Sequence, residues 1–306
     1  MGTFYGFLRK RDASMKSVFL VSALFSVFAL ATITVFLFAS GLPFMLHVGI
    51  GNFLFGTEWH PLDPTSPSYG IFPMIVTSLY VTALSVLIGV GIGLFTAVCL
   101  YKFCPPRLAK VVRQMVNLLA GIPSVVFGLF GMTVIVPFLR DYLSPRGVGY
   151  GILAASLVLS VMVLPTIVSV SLDAMHAVPA TYFEGALALG ATREEATFRV
   201  MLPAAKSGIL SGVVLAIGRA IGETMAVIMV IGGSTQMPHS LFQSVRTLTA
   251  NIAMGAMEIR GEAEYALIAT GVVLFVFTFL LNVGFSFLKG EKGEGKRRKK
   301  GKGTGV

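Results

Sequence analysis

Charge is what this 306-residue chain has least of: 12% of its residues are Asp, Glu, Lys or Arg, and 55% are hydrophobic. A soluble domain carries about 25% charge, so the deficit excludes an ordinary water-soluble globule. Cysteine is scarce as well. Cys99 and Cys104 are the only two, which rules out a disulfide-stapled scaffold, and neither has the His or acid neighbours of a metal site. The four histidines, His47, His60, His176 and His239, stand at no metal-ligand spacing and read as solvated side chains. Acidic residues are outnumbered 14 to 24 by basic ones. That excess does not indicate nucleic acid, because eight of the 24 cluster between Lys289 and Lys302 and most others sit in short loops. Such a distribution marks membrane topology and contact with anionic lipid headgroups.

What the chain has in abundance is long apolar runs, several beyond the roughly 18 residues that span a bilayer. They predict an all-α polytopic membrane protein with six transmembrane helices. The spans are expected at about 17–42, 71–101, 117–139, 148–172, 208–233 and 265–288. The first is too long for the apolar core of a signal peptide and shows no cleavage pattern, so it reads as a retained helix. Residues 1–16 form a polar cytosolic segment, residues 17–288 the transmembrane body, and 289–306 a basic cytosolic tail expected to be disordered. Gly89, Gly91 and Gly93 lie inside the second run. Without a strand-turn-helix setting they predict close helix packing rather than phosphate binding.

Cation counting orients the spans. With the N-terminus in the cytosol, 19 of the 24 Lys and Arg fall inside. Four fall outside (Arg140, Arg146, Arg246, Arg260), and Arg219 lies within a span. The bias predicts both termini in the cytosol of a multi-pass plasma-membrane protein.

Between the fourth and fifth spans the chain spends residues 173–207 in the cytosol. Short amphipathic stretches at Tyr182–Leu189 and Arg193–Val200 are expected along the membrane surface, with Gly190 as the turn between them. Arg193, Glu194 and Glu195 read as a solvated face. The order Glu184, Gly185, Ala186, then Gly190, then Val200, Leu202 and Pro203 resembles the EAA loop of ABC importer permeases. It departs at Gly185, where that family has Ala, and at Val200, where it has Ile. The resemblance implies a coupling helix seated on an ATPase subunit, with Glu184, Gly185, Ala186, Gly190, Leu202 and Pro203 as docking residues.

The fifth span carries Arg219 and Glu223 near its middle. On a continuous helix they are one turn apart, within reach of each other, on a face shared with Gly208 and Gly212. Charges at such depth face protein or water rather than lipid. Two roles stay open: a salt bridge that sets helix register, or a switchable gate in a transport path. Ser124 follows Pro123 in the third span, where a broken helix can expose backbone amides to an anion or form a simple kink. The stretches 218–227, with Thr224 inside it, and 121–131 resemble the signatures of PstC-type phosphate permeases, and Met225 favours PstC over PstA.

That resemblance covers about residues 70–285. It implies the type I, MetI-like permease fold and a translocation path or gate containing Arg219, Glu223, Thr224 and Ser124. The implied partners are a PstA-type permease, an ATPase dimer that carries ATP and Mg²⁺, an extracytoplasmic phosphate-binding protein, inorganic phosphate and membrane lipid. The chain has no Walker A pattern, so ATP hydrolysis belongs to a partner and no cofactor or catalytic residue is expected here. Sulfate or molybdate permeation is the nearest alternative. An intramembrane enzyme lacks a catalytic constellation, and an inert membrane scaffold leaves the docking pattern unexplained.

Overall fold

The computed structural model describes residues 2–145 and 147–290, so Arg146 and the tail from 291 onward, including its expected disorder, lie outside the described residues. Among the described residues the architecture is helical, apart from one small hairpin and an isolated bridge between Gly232 and Val245. Helix α1 (Gly2–Val48) is a single 47-residue rod that joins the expected cytosolic segment to the first span. It leaves the apolar side chains Phe19, Leu24, Phe25 and Phe28 uncovered. Its later half packs on the last helix, where Phe38 meets Phe275 edge to face with ring centroids 6.0 Å apart.

The Pro- and Gly-rich outer loop expected between the first two spans, 43–70, carries structure of its own. Helix α2 (Ile50–Phe55) and the antiparallel pair β1 (Trp59–His60) and β2 (Ser68–Tyr69) close over a cluster of Met45, Phe53, Trp59, Ile71 and Leu248. Burying these large side chains away from water fixes the hairpin on the helical body.

Helix α3 (Phe72–Phe103) ends in a π turn over Cys99–Phe103. It packs along α6 (Ile152–His176), the most buried span. A Cβ on Gly89 or Gly93 would come within 2.7 Å of Val163 or 2.8 Å of Ile167, so these two glycines permit the close approach expected of them. Gly91 faces away, with nothing within 4 Å. Polar stitches cross the apolar interface: Ser156 Oγ donates to the Val81 carbonyl at 3.3 Å. Away from water such a hydroxyl is stabilised by a protein acceptor.

The short loop expected between the second and third spans, marked by Lys102, Arg107, Lys110 and Arg113, is mostly helical. Pro106, at the first helical position where its missing N–H is harmless, opens helix α4 (Pro106–Gly121). Helix α5 (Ser124–Leu143) follows, so the third span begins at Ser124 and not at Asn117.

Beyond α6 come α7 (Ala180–Ala188) and α8 (Arg193–Ala204), then α9 (Lys206–Gly222), which meets α8 at a 67° bend. Helix α10 (Met225–Ile231) follows directly. The loop expected at 234–264 contains an 11-residue helix, α11 (Leu248–Glu258), and α12 (Glu264–Gly290) ends the described chain. Five helices are long and apolar enough to cross a bilayer, and the bent α8–α9 pair brings the number to six. The six-span reading holds.

Candidate functional site

The segment expected to dock on an ATPase is built as two helices and a turn. Helix α7 is anchored by Phe183, which is buried and lies 4.5 Å below the Lys102 ammonium in a cation–π contact. On the outer side of α7, Glu184 and Gly185 are exposed and Ala186 is half-buried. Gly190 has φ +89°, the left-handed conformation that ends a helix without a Cβ penalty. The Gly190 N–H donates to the Leu187 carbonyl at 3.0 Å and the Ala191 N–H to Ala186 at 3.1 Å, a Schellman closure. Thr192 and Glu195 then form a reciprocal capping box that starts α8. Glu195 is therefore half-buried in a structural role rather than on a purely solvated face, and Arg199 pairs with it at 3.4 Å. Leu202 is half-buried and Pro203 exposed beside the bend into α9.

One residue of this surface escaped sequence reasoning. Leu189, at the turn, is 91% exposed. An uncovered leucine at the tip of a turn is apolar surface left without cover within the described residues. Only the alternation of Leu187 and Leu189 before Gly190 hinted at it.

The second part of the site is a pair of broken helices. Helix α4 stops where Ile122 turns extended, at φ −74° and ψ 127°. The cause is local: Pro123 disfavours helical geometry in the residue before it and supplies no N–H. Helix α9 stops the same way at Glu223, with φ −72° and ψ 129°. In both, the N–H of the extended residue reaches back three residues, from Ile122 to Leu119 and from Glu223 to Ala220, each at 3.4 Å. The two restarted helices pack side by side. A Cβ on Gly128 of α5 would lie 2.7 Å from Met229 Sδ and 2.9 Å from Ala226 Cα of α10, and one on Gly131 would lie 2.7 Å from Val230. Contacts advance together along both helices, so they run parallel and their breaks stand next to each other.

This geometry corrects the expected Arg219–Glu223 pair. The helix ends at Gly222, so the two side chains are no longer one turn apart on one rod, and no ion pair joins them among the described residues. Gly208 and Gly212 pack on Ala174 and Val170 of α6; Arg219 shares their side of α9, but Glu223, beyond the helix end, does not. Arg219 is exposed on the last turn of α9. Glu223 is half-buried, and its Oε1 accepts the Ala226 N–H at 3.1 Å, capping the restarted helix with a negative charge. Thr224 Oγ1 donates to the Gly222 carbonyl at 3.4 Å. Ser124 begins α5, half-buried and without a side-chain hydrogen bond. The structure thus brings Ser124, Glu223 and Thr224 to the two adjacent breaks, with Arg219 on the turn before.

Helix α11 holds the second break, which sequence reasoning missed. Thr249 Oγ1 donates to the Glu223 carbonyl at 3.0 Å, and the Leu248 N–H donates to Ser78 Oγ at 3.0 Å. Arg246 anchors the start of this helix through the Gly233 carbonyl at 2.8 Å and Asn251 Oδ1 at 3.3 Å. Burial pushes the Arg246 guanidinium below its ordinary pKa, and Glu258 opposes that shift. A threonine-rich run after an outer loop was the only sequence signal. No cluster of His, Cys, Asp and Glu suited to a metal ion occurs among the described residues.

A helical body of several apolar spans, interrupted by the two-helix segment of α7 and α8, defines the class. The chain belongs to the binding-protein-dependent transport system inner membrane components, whose family it matches over residues 89–289. Within that class its relatives are permease subunits, not enzymes. The probable ABC transporter permease protein YqgH of Bacillus subtilis is 40% identical over 274 residues, covering 88% of each chain. The phosphate transport system permease protein PstC of Mesorhizobium japonicum is 34% identical over 299 residues, 89% of this chain and 90% of the relative. PstC 1 of Mycobacterium tuberculosis is 36% identical over 268 residues, 76% and 79%. The fold is shared with the inward-facing methionine transporter MetNI, at TM-score 0.58 and 21% identity over 72% of this chain and 94% of that one. It is shared also with a bacterial alginate importer, at TM-score 0.55 and 18% identity over 71% and 78%.

Proposed function

We propose that the chain is one transmembrane half of an ATP-driven importer of inorganic phosphate. Its partners are a PstA-type permease, an ATPase dimer below and an extracytoplasmic phosphate-binding protein above, with both termini in the cytosol. ATP and Mg²⁺ belong to the ATPase. Glu184, Gly185, Ala186, Gly190, Leu202 and Pro203 form the surface that the ATPase grips. Closure of the ATPase dimer pushes α7 and α8, and the 67° joint carries that push into α9.

The observation that carries the reading is the pairing of the two breaks at the far end of that lever. Helix α9 delivers Arg219 to the last turn before its break, and Glu223, Thr224 and Ser124 stand at the breaks themselves. A guanidinium offers an oxyanion two parallel donors. Glu223, bound to the α10 backbone, repels a dianion while it caps that helix. Moving α9 changes the spacing of these opposite charges, and the pair acts as a gate rather than a fixed high-affinity site. Sulfate and molybdate are the competing substrates.

The test is ATP-driven uptake of labelled phosphate in cells without other phosphate importers, with the chain co-expressed with its three partners. Arg219→Ala abolishes uptake while the ATPase still co-purifies. Undiminished uptake by the variant removes Arg219 from the path. Uptake of sulfate in place of phosphate by the wild type reassigns the substrate.

A further inference from the structure

Helix α4 carries chemistry that the gate does not use. At 100° per residue its polar side chains Arg107, Lys110, Arg113, Gln114 and Asn117 fall within an arc of roughly 120°. Ala109, Val112, Val116 and Leu119 pack on the body, and Leu108, Val111, Met115 and Leu118 form a separate uncovered apolar face. The polar arc has no acidic residue, and among the described residues none of its three cations forms an ion pair.

Where the polar arc meets α6 there is a cavity of about 270 Å³, lined by Arg113, Asn117, Ser169 and Asp173 with Val116, Val168 and Leu172. It opens on the side of the coupling segment, because Asp173 lies in the last turn of α6 before α7. Arg113, Asn117 and Asp173 are exposed and Ser169 is half-buried. None of the four side chains makes a hydrogen bond to another among the described residues, so a guanidinium, an amide, a hydroxyl and a carboxylate face one small space with their capacity unspent.

We infer that this cavity is a second, inner station for inorganic phosphate, and that Asp173 selects phosphate over sulfate there. Arg113, Asn117 and Ser169 supply donors to oxyanion oxygens. A carboxylate beside them repels any anion that is acceptor-only. Phosphate near neutral pH keeps at least one O–H, which donates to Asp173, whereas sulfate keeps none. A lipid phosphodiester also lacks that O–H, so the same carboxylate disfavours a headgroup. The inference rests on the phosphate reading above and adds to it a place on the way to the cytosol.

The permease pair with its ATPase, without binding protein or nucleotide, is placed in nanodiscs of neutral phosphatidylcholine. Broadening of the inorganic phosphate line in phosphorus NMR reports binding, with sulfate as competitor. Sulfate competes on the order of tenfold more weakly than phosphate against the wild type, the worth of one charged hydrogen bond. Asp173→Asn erases that preference, Asp173→Glu restores it, and Arg113→Gln lowers binding of both anions. An unchanged preference in Asp173→Asn overturns the inference. So does loss of phosphate binding on adding anionic phosphatidylglycerol, which assigns the cavity to lipid. Wild-type uptake in the cell assay separates the two levels. A wild type that imports phosphate while Asp173→Asn keeps its preference sinks the inner station alone, and a wild type that imports none sinks both.

Discussion

Gly128 is where the paired breaks are most open to a direct test. A single methyl group there meets the Ala226 Cα at 2.9 Å and Met229 Sδ at 2.7 Å. Methionine can turn its thioether aside, but Ala226 Cα is backbone and cannot yield without moving α10. Overpacking of this kind costs about 1–3 kcal/mol. If the two restarted helices must lie together for transport, Gly128→Ala lowers both the thermal stability of the purified complex and phosphate uptake, the latter about tenfold per 1.4 kcal/mol if the packed state is the active one. Gly91→Ala is the control, since nothing lies within 4 Å of its added Cβ and alanine is the better helix former, by up to about 1 kcal/mol. Both variants are read by melting of the complex in lipid discs and by initial uptake rates at matched membrane levels. Equal losses from Gly128→Ala and Gly91→Ala refute the reasoning, because the defect is then a general intolerance of methyl groups in these spans.

Two further outcomes follow from the site. Leu189→Asp leaves the chain folded and paired, because that side chain is 91% exposed, but weakens ATPase co-purification roughly 10- to 100-fold, the worth of burying one leucine at about 1.5–3 kcal/mol. Undiminished recovery of the ATPase on that variant denies Leu189 a docking role. At the second break, Glu223→Gln keeps an acceptor for the Ala226 N–H and so holds the melting temperature, whereas Glu223→Ala costs about 1 kcal/mol as a lost cap. Phosphate uptake falls in both if the charge itself works the gate. Retained uptake in Glu223→Gln reduces Glu223 to a capping residue.

Hydropathy and turn chemistry determined much of this protein from the sequence alone. Apolar runs specify spans because a bilayer accepts only backbone that satisfies itself, and helices do so locally. Gly190 was legible as a turn because only its backbone freedom explains a glycine between two amphipathic stretches, and Pro123 announced the first break. The second break was not legible. Nothing in Gly222-Glu223-Thr224 forbids a continuous helix, and on a continuous helix Arg219 and Glu223 meet. What parts them is tertiary: Thr249 of α11 holds the Glu223 carbonyl, while Gly128 lets α5 lie against α10. The same holds for α4, where three cations suggested a cytosolic loop although their spacing was helical, and only packing on α6 set Arg113 beside Asp173. Sequence patterns decide which segments leave water; contacts between residues far apart in the chain decide where those segments break and which charges share a cavity.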